Sequence, residues 1–185
     1  MSGRRLALLL AAPTTALALA GHAAAAGGDY VFDGGTSADR AQVVAALDAS
    51  SFDWSLVPSE VTIHIVRGHV SEAKPGEIWL DEDLLGAGKW AWGTILHEYG
   101  HQVDFFLLTP SDRAALGTLF GTSDWCYGIP GLPHAAYGCE RFASELAWAF
   151  WPSPQNSMRP LSPRDEAGAV PAPRFRALLG RMLAA

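Results

Sequence analysis

Residues 94–106 read TILHEYGHQVDFF, so that two histidines stand four residues apart and a glutamate follows the first. On an α-helix, residues four apart project about 40° from each other and share a face. His97 and His101 can therefore direct one ring nitrogen each at a single ion. Glu98, rotated by about 100°, can reach a water held by that ion and act as its general base. This H-E-x-x-H pattern predicts a zinc site on a central helix.

The segments around this helix predict an α+β domain with a small sheet. Alternating apolar and polar residues predict a strand over EVTIHIV (60–66), which contains His64, and a second strand over EIWLD (77–81). Apolar residues at helical spacing, together with capping residues and prolines, predict the helices. We expect helices over residues 37–50, 89–108, 111–120 and 140–151. The remaining stretches 27–36, 67–76 and 121–138 are expected to be a flexible lead, a polar connection and a loop.

The first 26 residues have the layout of a secretory signal. A short basic start is followed by the apolar run LALLLAAPTTALALA and by the small residues of GHAAAAGG. A retained membrane anchor is the alternative, but the run is short and interrupted by a proline. Residues 27–185 then form one secreted domain with a proline-rich segment, 152–173, and a C-terminal helix.

Charge excludes some classes of partner. The formal net charge is −6, and removal of the signal with Arg4 and Arg5 makes it two units more negative. An acidic chain is a poor ligand for nucleic acid or an anionic membrane. We expect a monomer that acts on a protein or peptide and, after signal removal, binds neither nucleic acid nor membrane.

Two cysteines in an exported chain predict one disulfide, Cys126–Cys139. Closing so short a loop would stabilise the fold by roughly 3 kcal/mol in the chain-entropy model. Two free thiols are the alternative. The spacing of the cysteines and histidines matches no common structural-zinc pattern.

A zinc site needs a third protein ligand. The pattern with a third histidine on the same helix requires glycine at 104 and histidine at 107, where this chain has Asp104 and Leu107. A pattern with an aspartate ligand requires Asp at 125, but the aspartate here is Asp124. These two options fail, which leaves a glutamate on the later helix.

Glu140 and Glu145 are the two candidates, and they lie about 140° apart on that helix, so both cannot face the ion. Glu140 shares its face with the small residues Ala143, Ser144 and Ala147, which would allow a close approach to the histidine helix, and we favour it. Glu145 stays open as the ligand or as a support for one. Asp104 is placed to accept a hydrogen bond from a ligand imidazole.

HEYGHQVD, followed some forty residues later by YGCERFASELAWAF, resembles the catalytic domain of the anthrax toxin lethal factor family. That family belongs to the gluzincins, the zinc metallopeptidases whose third ligand is a glutamate. The resemblance covers roughly residues 77–150. It implies a zincin-like domain with a small mixed sheet, a central H-E-x-x-H helix and a second helix that carries the glutamate.

Carried over by position, the resemblance implies that His97, His101 and Glu140 bind zinc and that Glu98 is the catalytic base. It makes Tyr137 the counterpart of a tyrosine that stabilises the oxyanion. The chain departs from the family at Ser144, where the family has a second carboxylate.

The sequence thus predicts a secreted zinc metalloendopeptidase. We expect Tyr137 or His134 to donate a hydrogen bond to the oxyanion, and EIWLD to be the sheet edge that pairs with the substrate. Two rivals remain: a secreted zinc-binding or interaction protein without turnover, and a metal-free structural domain. Hydrolysis of a non-peptide amide is also compatible with the same zinc chemistry.

Overall fold

A computed structural model describes residues 28–184, so the predicted signal segment lies outside the described residues. A mixed four-stranded sheet is built from β1 (Tyr30–Gly34), β2 (Val61–Val66), β3 (Glu72–Lys74) and β4 (Glu77–Asp81). Its spatial order is β1-β2-β4-β3. β1, β2 and β4 run parallel, and β3 is antiparallel to β4. The predicted α+β class with a small mixed sheet is confirmed.

Two of these strands correct the sequence prediction. The expected flexible lead contains β1, which pairs in parallel with β2 from Tyr30↔Val61 to Gly34↔Ile65. The expected polar connection contains β3. As a result EIWLD is an interior strand and β3 is the edge, because β3 occupies the outer side of β4.

Six α-helices complete the described fold. They are α1 (Ser37–Ala49), α2 (Glu82–Leu85), α3 (Lys89–Leu107), α4 (Pro110–Phe120), α5 (Gly138–Phe150) and α6 (Ala172–Met182). Thr36 caps α1 with a reciprocal hydrogen-bond pair to Asp39. Thr109 caps α4 in the same way through Asp112. Pro110 therefore begins α4 at a position where its missing N–H costs nothing.

The core lies between one face of the sheet and the helices. Ile63 and Ile65 of β2, with Ile78 and Leu80 of β4, point towards α1 and α3. α5 packs on α3, and α6 and the proline-rich segment pack on α5. The other sheet face carries half-buried residues such as His64, whose Nδ1 lies 2.9 Å from Asp33 and whose ring stacks on Trp79. Within residues 28–184, no helix has the length and apolar character needed to cross a membrane.

Candidate metal centre

The site lies where α3 and α5 approach each other closely. A Cβ atom on Gly100 would lie 2.9 Å from the Cα of Ala143, so only glycine allows this contact. The close approach expected from the small residues of α5 is therefore present. It brings His97 and His101, on α3, against Glu140, in the first turn of α5. A carboxylate at that position is also favoured by the partial positive charge of the helix N-terminus.

Three side-chain atoms form a nearly equilateral triangle. Nε2 of His97 and Nε2 of His101 are 3.1 Å apart, and Oε2 of Glu140 lies 3.1 and 3.2 Å from them. The three residues are only 4 to 6 % exposed. In a tetrahedral zinc site with bonds of about 2.0–2.1 Å, neighbouring ligand atoms are about 3.3 Å apart. The triangle therefore has the size that a small cation needs.

The hydrogen bonds of His97 select the tautomer that leaves Nε2 free to bind a cation. Its Nδ1 lies 2.9 Å from Oγ of Ser144, and that hydroxyl lies 2.9 Å from Oε2 of Glu166. The serine donates its one proton to the carboxylate and so accepts from Nδ1–H of His97. The neutral imidazole then has its lone pair on Nε2, inside the triangle, which is the tautomer that a metal requires.

The electrostatics keep the Glu140 carboxylate charged. Burial alone would raise the pKa of Glu140, but hydrogen bonds from His101, His134 and His97 hold that pKa far below its ordinary range. For His97, burial opposes protonation while the Glu140 and Glu98 carboxylates favour it, and the net pKa is raised. A proton therefore competes with a cation at His97 as the pH falls.

Glu98 faces the same space from α3. Its carboxylate and one nitrogen each of His97 and His101 lie within 4.8 Å of one another. Burial, opposed by the nearby imidazoles, raises the pKa of Glu98. A carboxylate with a pKa moved towards neutrality is a better general base than an exposed one.

His134 comes from a short 3₁₀ turn, His134–Ala136, before α5. Its Nε2 lies 3.1 Å from Oε2 of Glu140, and its Nδ1 lies 2.7 Å from Oε1 of Glu166. These two carboxylates raise the pKa of His134 to about 10. His134 is half exposed and stands at the mouth of the site. One of its nitrogens lies within 4.8 Å of ligand atoms of His97 and Glu140, so it could reach an ion bound there.

Tyr137 requires a correction. Its side chain is buried, and its hydroxyl donates to the carbonyl oxygen of Ile129 at 2.7 Å, so it is not free for an oxyanion. Its ring lies 4.2 Å from that of Tyr127. Tyr127 instead lines the cavity beside the triangle, where burial and the Glu140 carboxylate raise its pKa. The short loop between the cysteines thus brings a different tyrosine to the site.

Asp104 and Glu145 also lie elsewhere than expected. The Asp104 carboxylate accepts from Nε of Arg113 at 2.7 Å and from Nε1 of Trp125 at 3.1 Å, so it joins α3 to α4 and the loop instead of supporting an imidazole. Glu145 is fully buried on another face of α5, where it accepts from the backbone N–H of Val170 at 2.8 Å. Among the described residues, Ser144 hydrogen-bonds His97 and Glu166 hydrogen-bonds Ser144, whereas Glu145, which the sequence left open as a ligand or as a support for one, contacts neither histidine.

Two cavities flank the triangle. One, of about 250 Å³, includes Glu72 and Ala73 at the β3 edge, Phe105 and Tyr127. The other, of about 350 Å³, is lined by Val70, Leu84 and Met158 among others. Both reach His97, Glu98 and His134. Space for a bound molecule is therefore available next to His97, Glu98 and His134.

The predicted disulfide Cys126–Cys139 is present. It joins the loop to the first turn of α5, directly before Glu140. Two backbone hydrogen bonds reinforce the connection, from Gly138 N–H to Asp124 at 3.0 Å and from Cys139 N–H to Trp125 at 2.7 Å. These three links hold the backbone directly before Glu140 against the loop.

Comparison of the chain with protein-family models, curated proteins and solved structures found no match. The chemistry of the site therefore has to follow from its own residues. The buried histidine and glutamate groupings can bind a metal ion.

Proposed function

We propose that this protein is a secreted zinc metallopeptidase with a zincin-like fold. The observation that carries the proposal is the triangle of two imidazole nitrogens and one carboxylate oxygen, each 3.1–3.2 Å from the next. A second carboxylate, that of Glu98, lies beside it on the helix that carries the two histidines. Two histidines and one glutamate are a ligand set of catalytic zinc, which keeps a further position for water or substrate. The resemblance of residues 77–150 to the lethal factor family supports the same assignment.

In this proposal His97, His101 and Glu140 hold the ion. When bound, zinc supplies Lewis-acid polarisation of the peptide carbonyl and lowers the pKa of the attacking water. Glu98 takes the proton of that water on its carboxylate and passes it to the nitrogen of the departing amine. Its raised pKa suits both transfers.

Two side chains that rest on the Glu140 carboxylate would become donors to the carbonyl oxygen once an ion occupies that carboxylate. Nε2–H of His134 is oriented by Glu166, whose carboxylate holds Nδ1 at 2.7 Å. The hydroxyl of Tyr127 borders the same cavity. A prearranged donor of this kind stabilises charge that develops in the transition state.

The β3 edge, Glu72–Lys74, is the proposed docking strand for an extended peptide. It replaces β4 in this role because β4 is interior. Glu72 and Ala73 border the cavity that contains Glu98, so a peptide paired with β3 would pass in front of the general base.

A second function has one observation in its favour. His134 Nε2 is 3.1 Å from Glu140 Oε2, close enough to complete a closed set of three histidines and one glutamate. A metal with four protein ligands would be structural, and the protein would then bind zinc without turnover.

Metal analysis combined with cleavage of an unbiased peptide library separates these functions. We expect about one zinc per chain and cleavage that a chelator abolishes. Glu98→Gln should lose cleavage because the amide cannot accept the proton, yet keep its zinc because Glu98 is not a ligand. Full activity in this variant would refute the mechanism. Zinc without any cleavage in the wild type would favour the closed site, and absence of zinc would refute both.

A further inference from the structure

The disulfide sulfur of Cys139 lies at the edge of the metal centre. Sγ of Cys139, a nitrogen of His101 and a carboxylate oxygen of Glu140 all lie within 4.8 Å of one another. The sulfur is 3.7 Å from Oε1 of Glu140. Cys139, His101 and Glu140 are 0, 6 and 4 % exposed. A disulfide sulfur has no proton to donate and no thiolate charge, so in the oxidised protein this contact does not contribute a ligand.

Reduction would change the chemistry of that sulfur without moving it far. Cys139 is held by its backbone, since its N–H donates to the Trp125 carbonyl and the preceding Gly138 N–H donates to Asp124. Neither bond depends on the disulfide. Around a tetrahedral zinc, a sulfur at about 2.3 Å and a nitrogen at about 2.0 Å stand roughly 3.5 Å apart. The Cys139 sulfur already lies within 4.8 Å of a His101 nitrogen.

The bond is accessible from one side. Cys126 is exposed on the loop, whereas Cys139 is buried. A reductant therefore attacks the Cys126 sulfur and releases Cys139 as the leaving group, already inside the site.

We propose that the Cys126–Cys139 disulfide keeps a latent thiolate ligand out of the metal centre, and that its reduction places Cys139 Sγ on the metal. A phosphine reductant transfers two electrons to the disulfide and takes up the oxygen of a water molecule. The products are two thiols and a phosphine oxide. The Cys139 thiol gives its proton to solvent as the sulfur–metal bond forms. A thiolate binds Zn²⁺ strongly, so it displaces the more weakly held water or Glu140 oxygen.

This inference rests on the metal site of the proposed function but not on turnover. It implies that an oxidising environment is needed for an open coordination position. In a reducing compartment the site would bind metal more tightly and would be inactive.

Cobalt(II) in place of zinc gives a direct readout, because a cobalt–thiolate bond adds a charge-transfer absorption in the near ultraviolet. The oxidised wild type should bind Co²⁺ and show no such band. The band should appear on reduction with a phosphine, and reoxidation should remove it. No cobalt binding by the oxidised protein would overturn the metal site itself. Cobalt binding without a band after reduction would overturn the inference alone.

Two matched variants locate the sulfur. Cys126→Ser and Cys139→Ser both lack the disulfide, but only the first keeps a sulfur beside Glu140. Cys126→Ser should show the band in the absence of reductant, and Cys139→Ser should not show it in any condition. A band in Cys139→Ser, or equal spectra in the two variants, would contradict the assignment. If either variant does not fold, reduction of the cobalt-loaded wild type still tests whether a thiolate binds the metal.

Discussion

Glu140 and Glu145 are five residues apart on one helix and have opposite environments. Glu140 is surrounded by His97, His101 and His134 at 3.1–3.2 Å. Glu145 has one hydrogen-bonded oxygen, and its Oε2 has no hydrogen-bond partner among the described residues. The first environment stabilises a carboxylate and the second disfavours it.

This difference predicts that alanine variants of Glu140 and Glu145 will differ in zinc content. Glu140→Ala removes one of the three proposed metal ligands, and we expect zinc content to fall well below one per chain. Glu145→Ala should keep zinc near the wild-type level, because its carboxylate does not reach the triangle. Metal analysis after dialysis against a weak chelator measures both. The reverse ranking would transfer the ligand role to Glu145.

Tyr127 and Tyr137, the two tyrosines of the loop before α5, allow a second comparison of two variants. Tyr127→Phe removes the hydroxyl beside the cavity, and loss of an oxyanion donor lowers kcat by about 10²-fold. Tyr137→Phe removes the bond to the Ile129 carbonyl, which should lower the free energy of unfolding by about 1 kcal/mol and change kcat little. Steady-state kinetics and denaturant unfolding of both variants test this. An unchanged kcat in Tyr127→Phe would exclude it from the reaction.

The sequence predicted the residues that follow helical spacing and missed those brought in by irregular backbone. The shared site of His97, Glu98 and His101 could be predicted because a helix fixes the directions of their side chains. The role of Tyr127 could not be predicted, because its own backbone has a φ of 56° and no local sequence pattern predicts that conformation. Glu166 lies 22 residues beyond Ser144 on a short 3₁₀ turn, and no spacing rule connects the two.

At the scale of elements, the α3–α5 contact sets the separation between the two histidines and Glu140. Gly100→Ala would place a Cβ 2.9 Å from the Cα of Ala143, where the neighbour is backbone and cannot rotate away. The helices must move apart, and we expect a stability loss of about 1–3 kcal/mol together with weaker zinc binding.

Gly180→Ala is the matched control for this change. Gly180 lies within α6, and a Cβ added there would meet no atom within 4 Å. Alanine should therefore stabilise the helix by up to about 1 kcal/mol and leave zinc binding unchanged. Unfolding curves and zinc titrations of both variants provide the comparison. Equal zinc affinity in the Gly100 variant would show that helix separation does not control the site.

Strand prediction failed where strands lack a pattern of their own. β1 has an aspartate and a glycine after its apolar start, and β3 is three residues with two charges. Pairing with β2 and β4 makes them strands, and that pairing is a tertiary effect. β2 and β4 were predicted correctly because their alternation reflects one buried face.

At the scale of the whole molecule, one buried carboxyl should make stability depend on pH. Burial raises the pKa of Glu145 to about 7 from its usual 4.5. Between these two values the folded protein holds a proton that the unfolded chain releases, so stability decreases as the pH rises through this window. Below it the carboxyl is neutral in both states and has no effect.

Glu145→Gln tests this, because the amide cannot ionise and can still accept from Val170. Relative to wild type, the variant should gain about 2–3 kcal/mol of unfolding free energy between pH 5 and pH 8. Denaturant unfolding in a chelator, at both pH values, measures the difference without metal binding. A gain that is the same at pH 5 and pH 8 would contradict the raised pKa.

Glu166 supports His134 directly and His97 through Ser144, yet it follows an irregular stretch in which Leu161 is 88 % exposed. Exposed loop tips are preferred sites of proteolytic cleavage. A single cut near Leu161 would leave His97, His101 and Glu140 on one fragment and Glu166 on the other, joined by non-covalent contacts such as the Val170–Glu145 hydrogen bond and the packing of Phe175 and Leu179. The working lifetime of the molecule would then be set by how fast a peptidase cuts that tip.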